Sequence, residues 1–391
     1  MLNELEIHDF KGISSMKLNL KKITILVGRN NTSKTSVLQS IDLLYNHRNR
    51  DFRRLGGNRL LSLIKSGKNK ATINGVEDNE TKLNISIEMA TPEEILSDIR
   101  KRLTYFIRNN KQFSSQALIG KKEDIQAKVM GEFLDTELIK NLTALRVIDG
   151  TTPNIIIPNT SSHEVFETSF RIARKLKEGH AINISPFILA EFFESNFSTH
   201  LDKNVDTGVK FLKDLESIRK RVDDEEDKRK QDQIEKYIVE NKIVPDLTRL
   251  DFNYIIYKDG SIVPFSYMGD GFKAIIGLLW EYIPELLGDS STKILLLDEP
   301  EIRMHPGFIS ELVHILIQLS QKKGVQILIS THSIDLINSL LELDYDKEFL
   351  AKEVEIIQMQ CLQNREVAFR TISYEKAREL SGELSNDLRG I

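Results

Sequence analysis

The chain has 391 residues, 40% hydrophobic and 29% charged, the profile of a globular protein long enough for two or three domains. Its 54 basic and 58 acidic residues leave a net charge of −4, so the surface as a whole has no reason to attract nucleic acid or membrane, and any such affinity must be local. A single cysteine, Cys361, excludes an intramolecular disulfide and a thiolate metal cluster; no apolar run approaches the roughly eighteen residues of a membrane span, and the expectation is a cytoplasmic protein without a membrane partner.

In chain order, the first 27 residues alternate apolar and polar positions in three short runs, LEIHDF, MKLNL and ITILV, which predicts three strands around turns. A helix follows from about Lys34 to Tyr45. Between Tyr45 and Lys70 stand Arg48, Arg50, Arg53, Arg54, Arg59, Lys65, Lys68 and Lys70 against Asp51 alone, the one markedly basic stretch. Another strand-like run, KLNISIEM, closes the first segment near Ala90. From about Thr91 to Arg249 the pattern reads as mostly helical, with Phe211, Leu212, Leu215, Ile218 and Val222 at helical intervals, and VDDEEDKRKQDQ reads as a solvated helix or arm. After the strand-like FNYIIY and SIVPF, strands and helices alternate through KILLLDEP, a helix near Gly307 to Lys323, VQILIS and a further helix. Short, wholly apolar strands between helices are what a parallel sheet covered on both faces requires. The tail, with EVEIIQMQ, EVAFRTI and a last helix, is expected to complete that sheet. The prediction is an α/β protein in which residues 1–90 and 250–391 build one nucleotide-binding domain and 91–249 is an inserted helical domain.

Four pieces carry chemistry. Gly28-Arg-Asn-Asn-Thr-Ser-Lys34-Thr35 has the spacing of a P-loop except that Ser33 stands at the second glycine. Such a loop wraps the backbone amides of Arg29, Asn30, Asn31, Thr32, Ser33 and the helix-start residue Ser36 around phosphate oxygens, with Lys34 as point charge and the Thr35 hydroxyl on magnesium. A serine at position 33 keeps those amides only if its backbone angle is tolerable without glycine. In LLLDEPE, a carboxylate at the tip of a buried strand needs a cation, which makes Asp298 the candidate magnesium ligand and Glu299 the candidate base for an attacking water. His332, just past the VQILIS strand, is placed to hydrogen-bond a terminal phosphate. Gly269, Asp270 and Gly271, in YMGDGFK before a helix from Ala274 to Tyr282, offer backbone amides to an anion.

In this order the four pieces resemble the ABC-type ATPases, and among them the branch holding the SMC and recombination-repair ATPases and the overcoming-lysogenization-defect (OLD) group. The resemblance covers about the first 45 residues and 250–345. It implies an ABC-type P-loop head with a mainly parallel core sheet and antiparallel N-terminal strands, using ATP and Mg2+. LEIHDFKGI is similar to that branch's usual opening, which implies that Lys11 also reaches the nucleotide. DEPEIRMHP is similar to the acidic and His-Pro stretch of OLD-like ATPases, and MGDGFK to their signature loop, with Gly269 and Phe272 where a transporter ATPase carries serine and glutamine. The implied mechanism is a homodimer or larger assembly in which each ATP lies between one P-loop and the partner's MGDG loop. With the signature serine absent and Ser33 in the P-loop, slow hydrolysis is expected. For the lid-loop glutamine of this superfamily Gln112 and Gln116 are candidates. Full OLD nucleases carry a TOPRIM nuclease domain; the residues after His332 are too few for one, and Asp344-Tyr345-Asp346 has its metal-pair spelling without the preceding apolar strand.

The resemblance further implies a stand-alone ATPase that controls a separate effector, a nuclease, as in PARIS-type and related antiphage systems. A second reading is an SMC-like DNA clamp or repair ATPase contacting DNA through Arg48, Arg50, Arg53 and Arg54. A third is a transporter ATPase subunit, which requires a membrane partner.

Overall fold

The computed structural model describes residues 1–47, 60–95, 144–149, 155–158, 162–178, 207–218, 222–287, 292–343, 346–363 and 366–384, with isolated positions between 97 and 131. Its strands fall into three sheets. The central one runs β15 (Val367–Ser373), β14 (Val354–Cys361), β3 (Ile23–Val27), β13 (Gln326–Thr331), β12 (Ile294–Asp298) and β8 (Val209–Leu212). Its members from β14 to β8 are parallel and β15 closes the edge antiparallel. β3, β12 and β13 are the apolar-cored runs of the sequence, and they are central because both of their faces are covered: Ile25, Leu295, Leu297 and Ile327 face one core, and Leu26, Leu296 and Leu328 the other. The tail supplies β14 and β15, as expected.

A second, antiparallel sheet has the order β2 (Ile13–Asn19), β1 (Leu2–Phe10), β4 (Lys70–Glu77), β5 (Lys82–Met89), β6 (Ala144–Ile148) and β7 (Ile155–Pro158). The alternation in β1 and β2 puts Leu5, Ile7, Met16 and Leu18 on one face. That face and the central sheet enclose helix α1 (Lys34–Asn46), which is buried on all sides, with Val37, Leu38, Ile41 and Leu44 in the shared core. The far face of the central sheet is covered by α3 (Glu225–Glu240), α4 (Asp270–Leu287), α5 (Pro306–Lys323), α6 (Ile334–Glu342), α7 (Lys347–Glu353) and α8 (Tyr374–Leu384), numbered to follow α2 (Ser162–Glu178). α5 is delimited by its own sequence: His305 accepts from Gly307 N, Pro306 opens the first turn, and Gly324 ends the helix at φ 70°. A small third sheet, β9 (Leu247–Leu250), β10 (Tyr254–Tyr257) and β11 (Ile262–Pro264), is antiparallel.

Four readings change. The segment 91–249 supplies β6, β7, β8 and β9, so among the described residues it is part of the sheets as well as of the helices. Phe211 and Leu212 are in strand β8, not on a helix face, because pairing with Leu296 and Leu297 of β12 satisfies their backbone and sends Phe211 to one core and Leu212 to the other. The charged run does form a helix, α3, capped by Asp224 accepting from Glu226 N and Asp227 N. The helix expected from Ala274 begins at Asp270 and takes Gly271 into its first turn. Lys70 opens β4, a strand the basic composition concealed. Arg48, Arg50, Arg53, Arg54, Gln112, Gln116 and Asp344 lie outside the described residues. Asp346 caps α7, accepting from Phe349 N at 3.0 Å.

Candidate functional site

The parallel register brings the C-terminal ends of β3, β13 and β12 side by side, and every apolar strand that ends there releases a polar loop at the same edge. Gly28 follows β3. A β-carbon on it would lie 2.3 Å from the Met359 carbonyl oxygen, so the loop passes β14 at a distance only glycine allows. The loop then turns through two left-handed residues, Asn31 at φ 64° and Ser33 at φ 67°. Ser33 therefore adopts the conformation a glycine would supply, at a steric cost of about 1 kcal/mol, and the loop geometry survives the substitution. Its hydroxyl stands against Gly12 of the β1–β2 turn, where a β-carbon would be 2.8 Å away. Ser33 makes no side-chain cap and the first turn of α1 has no acidic residue, which leaves the amides of the helix start and its positive dipole end for an anion. Arg29, Asn30 and Asn31 are exposed, whereas Thr32 is buried and donates to the Arg29 carbonyl at 2.8 Å. Ser36 lies in the first turn of α1.

Lys34 folds back over this loop and donates to the carbonyls of Gly28 and Arg29, each at 2.9 Å. Burial pushes its ammonium below the ordinary lysine range, with Glu299, Asp298 and Glu301 opposing that shift. Thr35 donates to Asp298 Oδ1 at 2.8 Å, and Ser330 donates to the same oxygen at 2.6 Å. Asp298 Oδ2 is ion-paired with Lys213, the residue after β8. Glu299 sits at φ 51°, a strained left-handed position held by its amide donating to the Ser330 carbonyl at 2.9 Å. That backbone turn aims its carboxylate at His332, whose Nδ1 is 3.1 Å from Glu299 Oε1. Lys11, at φ 51° in the β1–β2 turn, extends its ammonium to Gln39 of α1. Burial first, then the Lys213 charge, push Lys11 down to about 8, against the attraction of Asp298. The antiparallel sheet thus delivers a lysine to the edge of the P-loop cluster.

The expected residues fall into two groups. Lys11, Lys34, Thr35, Asp298, Glu299 and His332 converge. Gly269, Asp270 and Gly271 form the second group at the start of α4: a β-carbon on Gly271 would meet Phe308 Cδ2 at 3.1 Å, and Asp270 Oδ2 faces Arg303 Nη1 at 3.9 Å. Sequence reasoning left out Lys213, Ser330 and Glu301. Glu301 is buried, accepts from Thr331, and burial pushes its carboxyl above the usual range; its Oε2 has no partner among the described residues. Ser330 was within sight in the Ser-Thr-His-Ser run, but Lys213 was hidden by the helical reading of its strand.

A family of AAA ATPase domains matches residues 1–337. The chain belongs to that family. It is thereby an ATPase domain, and its α/β fold with a P-loop between β3 and α1 agrees. Over 65 residues it is 35% identical to the energy-coupling factor transporter ATP-binding proteins EcfA2 and EcfA3 of two Clostridium perfringens strains. Those alignments span 17% of this chain and 21% of the relatives, so only about a fifth of their length is matched. Among solved structures, the SMC head domain from Thermotoga maritima superposes with a TM-score of 0.46 at 12% identity, covering 95% of this chain and 99% of that one. The Pyrococcus furiosus Smc head with an extended coiled coil, bound to the C-terminal domain of ScpA, gives 0.47 at 14% identity over 98% and 99%. Among the described residues no helix is long and apolar enough to cross a membrane.

The donors around Asp298 suit magnesium. They are hard oxygens, one carboxylate and the Thr35 hydroxyl, and a positive group, the Lys213 ammonium, already rests on that carboxylate. Among the described residues no cluster of three or more His, Cys, Asp or Glu could hold a metal alone.

Proposed function

We propose that the chain is a magnesium-dependent ATPase whose heads pair around ATP, and whose ATP-driven assembly governs a separate effector, a nuclease, in prokaryotic antiviral defence. The observation that carries the ATPase reading is the meeting of Lys34, Thr35, Asp298, Glu299 and His332 at one sheet edge. The amides from Arg29 to Ser36 bind the phosphates, and Lys34 moves from its loop carbonyls to the β- and γ-phosphates. Thr35 and Asp298 hold Mg2+, which supplies charge neutralisation at the phosphates. Glu299 takes the proton of the attacking water, and His332, within hydrogen-bond distance of Glu299, donates a ring N–H to the γ-phosphate. Lys11 adds a second positive group beside the nucleotide. The MGDG amides, Gly269 to Gly271, complete the partner's site, which makes a homodimer or larger homo-oligomer the active form. The effector and the defence role rest on the resemblance to OLD-like and PARIS-type ATPases. The domain division at residues 90 and 250 belongs to the same reading.

ATP turnover and solution mass test it for the wild type beside Lys34→Ala and Glu299→Gln. The wild type turns over ATP slowly. Lys34→Ala weakens ATP binding roughly 100-fold, the loss of a charge-assisted contact to phosphate, and Glu299→Gln binds ATP but accumulates as an assembled species. A Glu299→Gln protein with wild-type turnover and mass would overturn the catalytic assignment. The basic stretch from Arg48 to Lys70 supports a second reading, an SMC-like clamp on DNA. Neutralising Arg48, Arg50, Arg53 and Arg54 then reduces the salt dependence of DNA binding; unchanged affinity removes the clamp.

A further inference from the structure

Asp298 is fully occupied. Oδ1 accepts from Thr35 and Ser330, and Oδ2 carries the Lys213 ammonium. The placement of Lys213 is built into the sheet: β8 pairs in parallel with β12, Leu212 opposite Leu297, so the next residue of the edge strand comes alongside Asp298. Its backbone is anchored on the other side too. Asp214 turns at φ 48°, and the buried Leu215 presses its carbonyl against α4 so closely that a β-carbon on Gly277 would lie 2.1 Å from that oxygen. Glu216 reaches Arg303 at 3.7 Å. The side chain has room that the backbone lacks: Lys213 is 41% exposed, its ammonium 5.2 Å from the Phe211 ring centre, with a four-carbon arm that can swing to water.

An ammonium in contact with Oδ2 and a divalent ion on the same carboxylate repel each other at a few ångströms, in a site partly shielded from water. We propose that Lys213 is a resident cation of the metal site: it neutralises Asp298 before loading, competes with Mg2+ for that carboxylate, and leaves it when the metal arrives with the nucleotide. This rests on the reading of Asp298 as the magnesium-facing carboxylate. The competition has two consequences. Without metal, Lys213 screens the phosphates from Asp298 and permits nucleotide binding. With metal, it must be displaced, so it lowers the gain that Mg2+ brings.

The test is equilibrium binding of mant-AMP-PNP, a fluorescent non-hydrolysable ATP analogue, to the full chain in excess EDTA and in saturating Mg2+. The readout is the ratio of the two dissociation constants, for the wild type, Lys213→Met, Lys213→Arg and Asp298→Asn, each checked for wild-type circular dichroism. Lys213→Met raises the ratio about tenfold or more, by weakening the metal-free complex and leaving the metal complex equal or tighter. Lys213→Arg, which keeps the charge, stays within about threefold of wild type and shows that charge rather than packing is responsible. Asp298→Asn brings the ratio close to one. If Asp298→Asn collapses the ratio while Lys213→Met stays within about twofold of wild type, the competition proposal fails and the magnesium assignment stands. If Asp298→Asn leaves the ratio unchanged, both fail.

Discussion

Ser33 shows how one residue can meet a geometric demand it is not made for. The loop requires a left-handed backbone at that position, φ 67° and ψ 17°, and serine supplies it against the steric preference of a β-carbon. Replacing it by glycine removes the strain but adds freedom to the unfolded chain, so Ser33→Gly leaves stability unchanged or raises it by up to about 1 kcal/mol and retains nucleotide binding. Ser33→Val places a branched carbon in the same conformation and beside Gly12, and lowers stability by about 2 kcal/mol or more with loss of binding. Urea denaturation and mant-nucleotide titration of the pair decide it; equal stability for Val and Gly would mean that the left-handed turn is not what the loop needs. The spacing of the P-loop was legible in the linear pattern, but the angle at Ser33 was not, because only the packing of Gly28 on Met359 and of Gly12 on Ser33 imposes it.

At the scale of elements, the start of β3 is pinned to β14 by a buried carboxylate. Glu355 stands opposite Thr24 in the parallel register and accepts from Lys21 N at 3.1 Å. Burial pushes its carboxyl above the ordinary carboxylate value, with Lys21 opposing the shift. The folded protein therefore holds this proton where the unfolded chain has released it, and stability falls as pH rises from the ordinary carboxylate value towards the raised one. Glu355→Gln keeps an oxygen for Lys21 N and does not titrate. Its melting temperature relative to wild type accordingly climbs as pH rises above the ordinary carboxylate value and levels off once the raised one is passed. Differential scanning fluorimetry across that range reads the gap; a constant gap would show that Glu355 is ionised alike in both states. β14 and β15 were expected from the tail's apolar runs, yet β8 was assigned to a helix. Four residues are too few for periodicity to separate the two, and the pairing with β12 chose between them.

At the scale of the whole molecule, a side chain at the base of β13 hydrogen-bonds one large sheet to the other. Gln326, 1% exposed, accepts from Leu2 N at 2.8 Å and donates to the carbonyls of Leu2 and Lys21. β1 of the antiparallel sheet is thus bonded to the parallel sheet, and Lys11 at the far end of β1 is carried to the P-loop. Gln326→Leu leaves these backbone groups without those partners and costs about 3 kcal/mol. Chemical denaturation measures it; a loss under about 0.5 kcal/mol would mean that apolar packing around α1 holds the sheets without this bond.

The linear sequence by itself determined the α/β class, the strand–loop–helix at residues 23–46, the acidic tip at Asp298 and Glu299, and His332. In each case the information is local: a wholly apolar strand must be buried, and the polar residue that ends it must then stand at the sheet edge. The tertiary structure alone decided which strands are neighbours, that the segment 91–249 lends β8 to the central sheet, and that Lys213 rests on Asp298. Nothing near Lys213 in the chain marks it, because its partner is brought to it by strand pairing across 85 residues. Such contacts are properties of register rather than of composition.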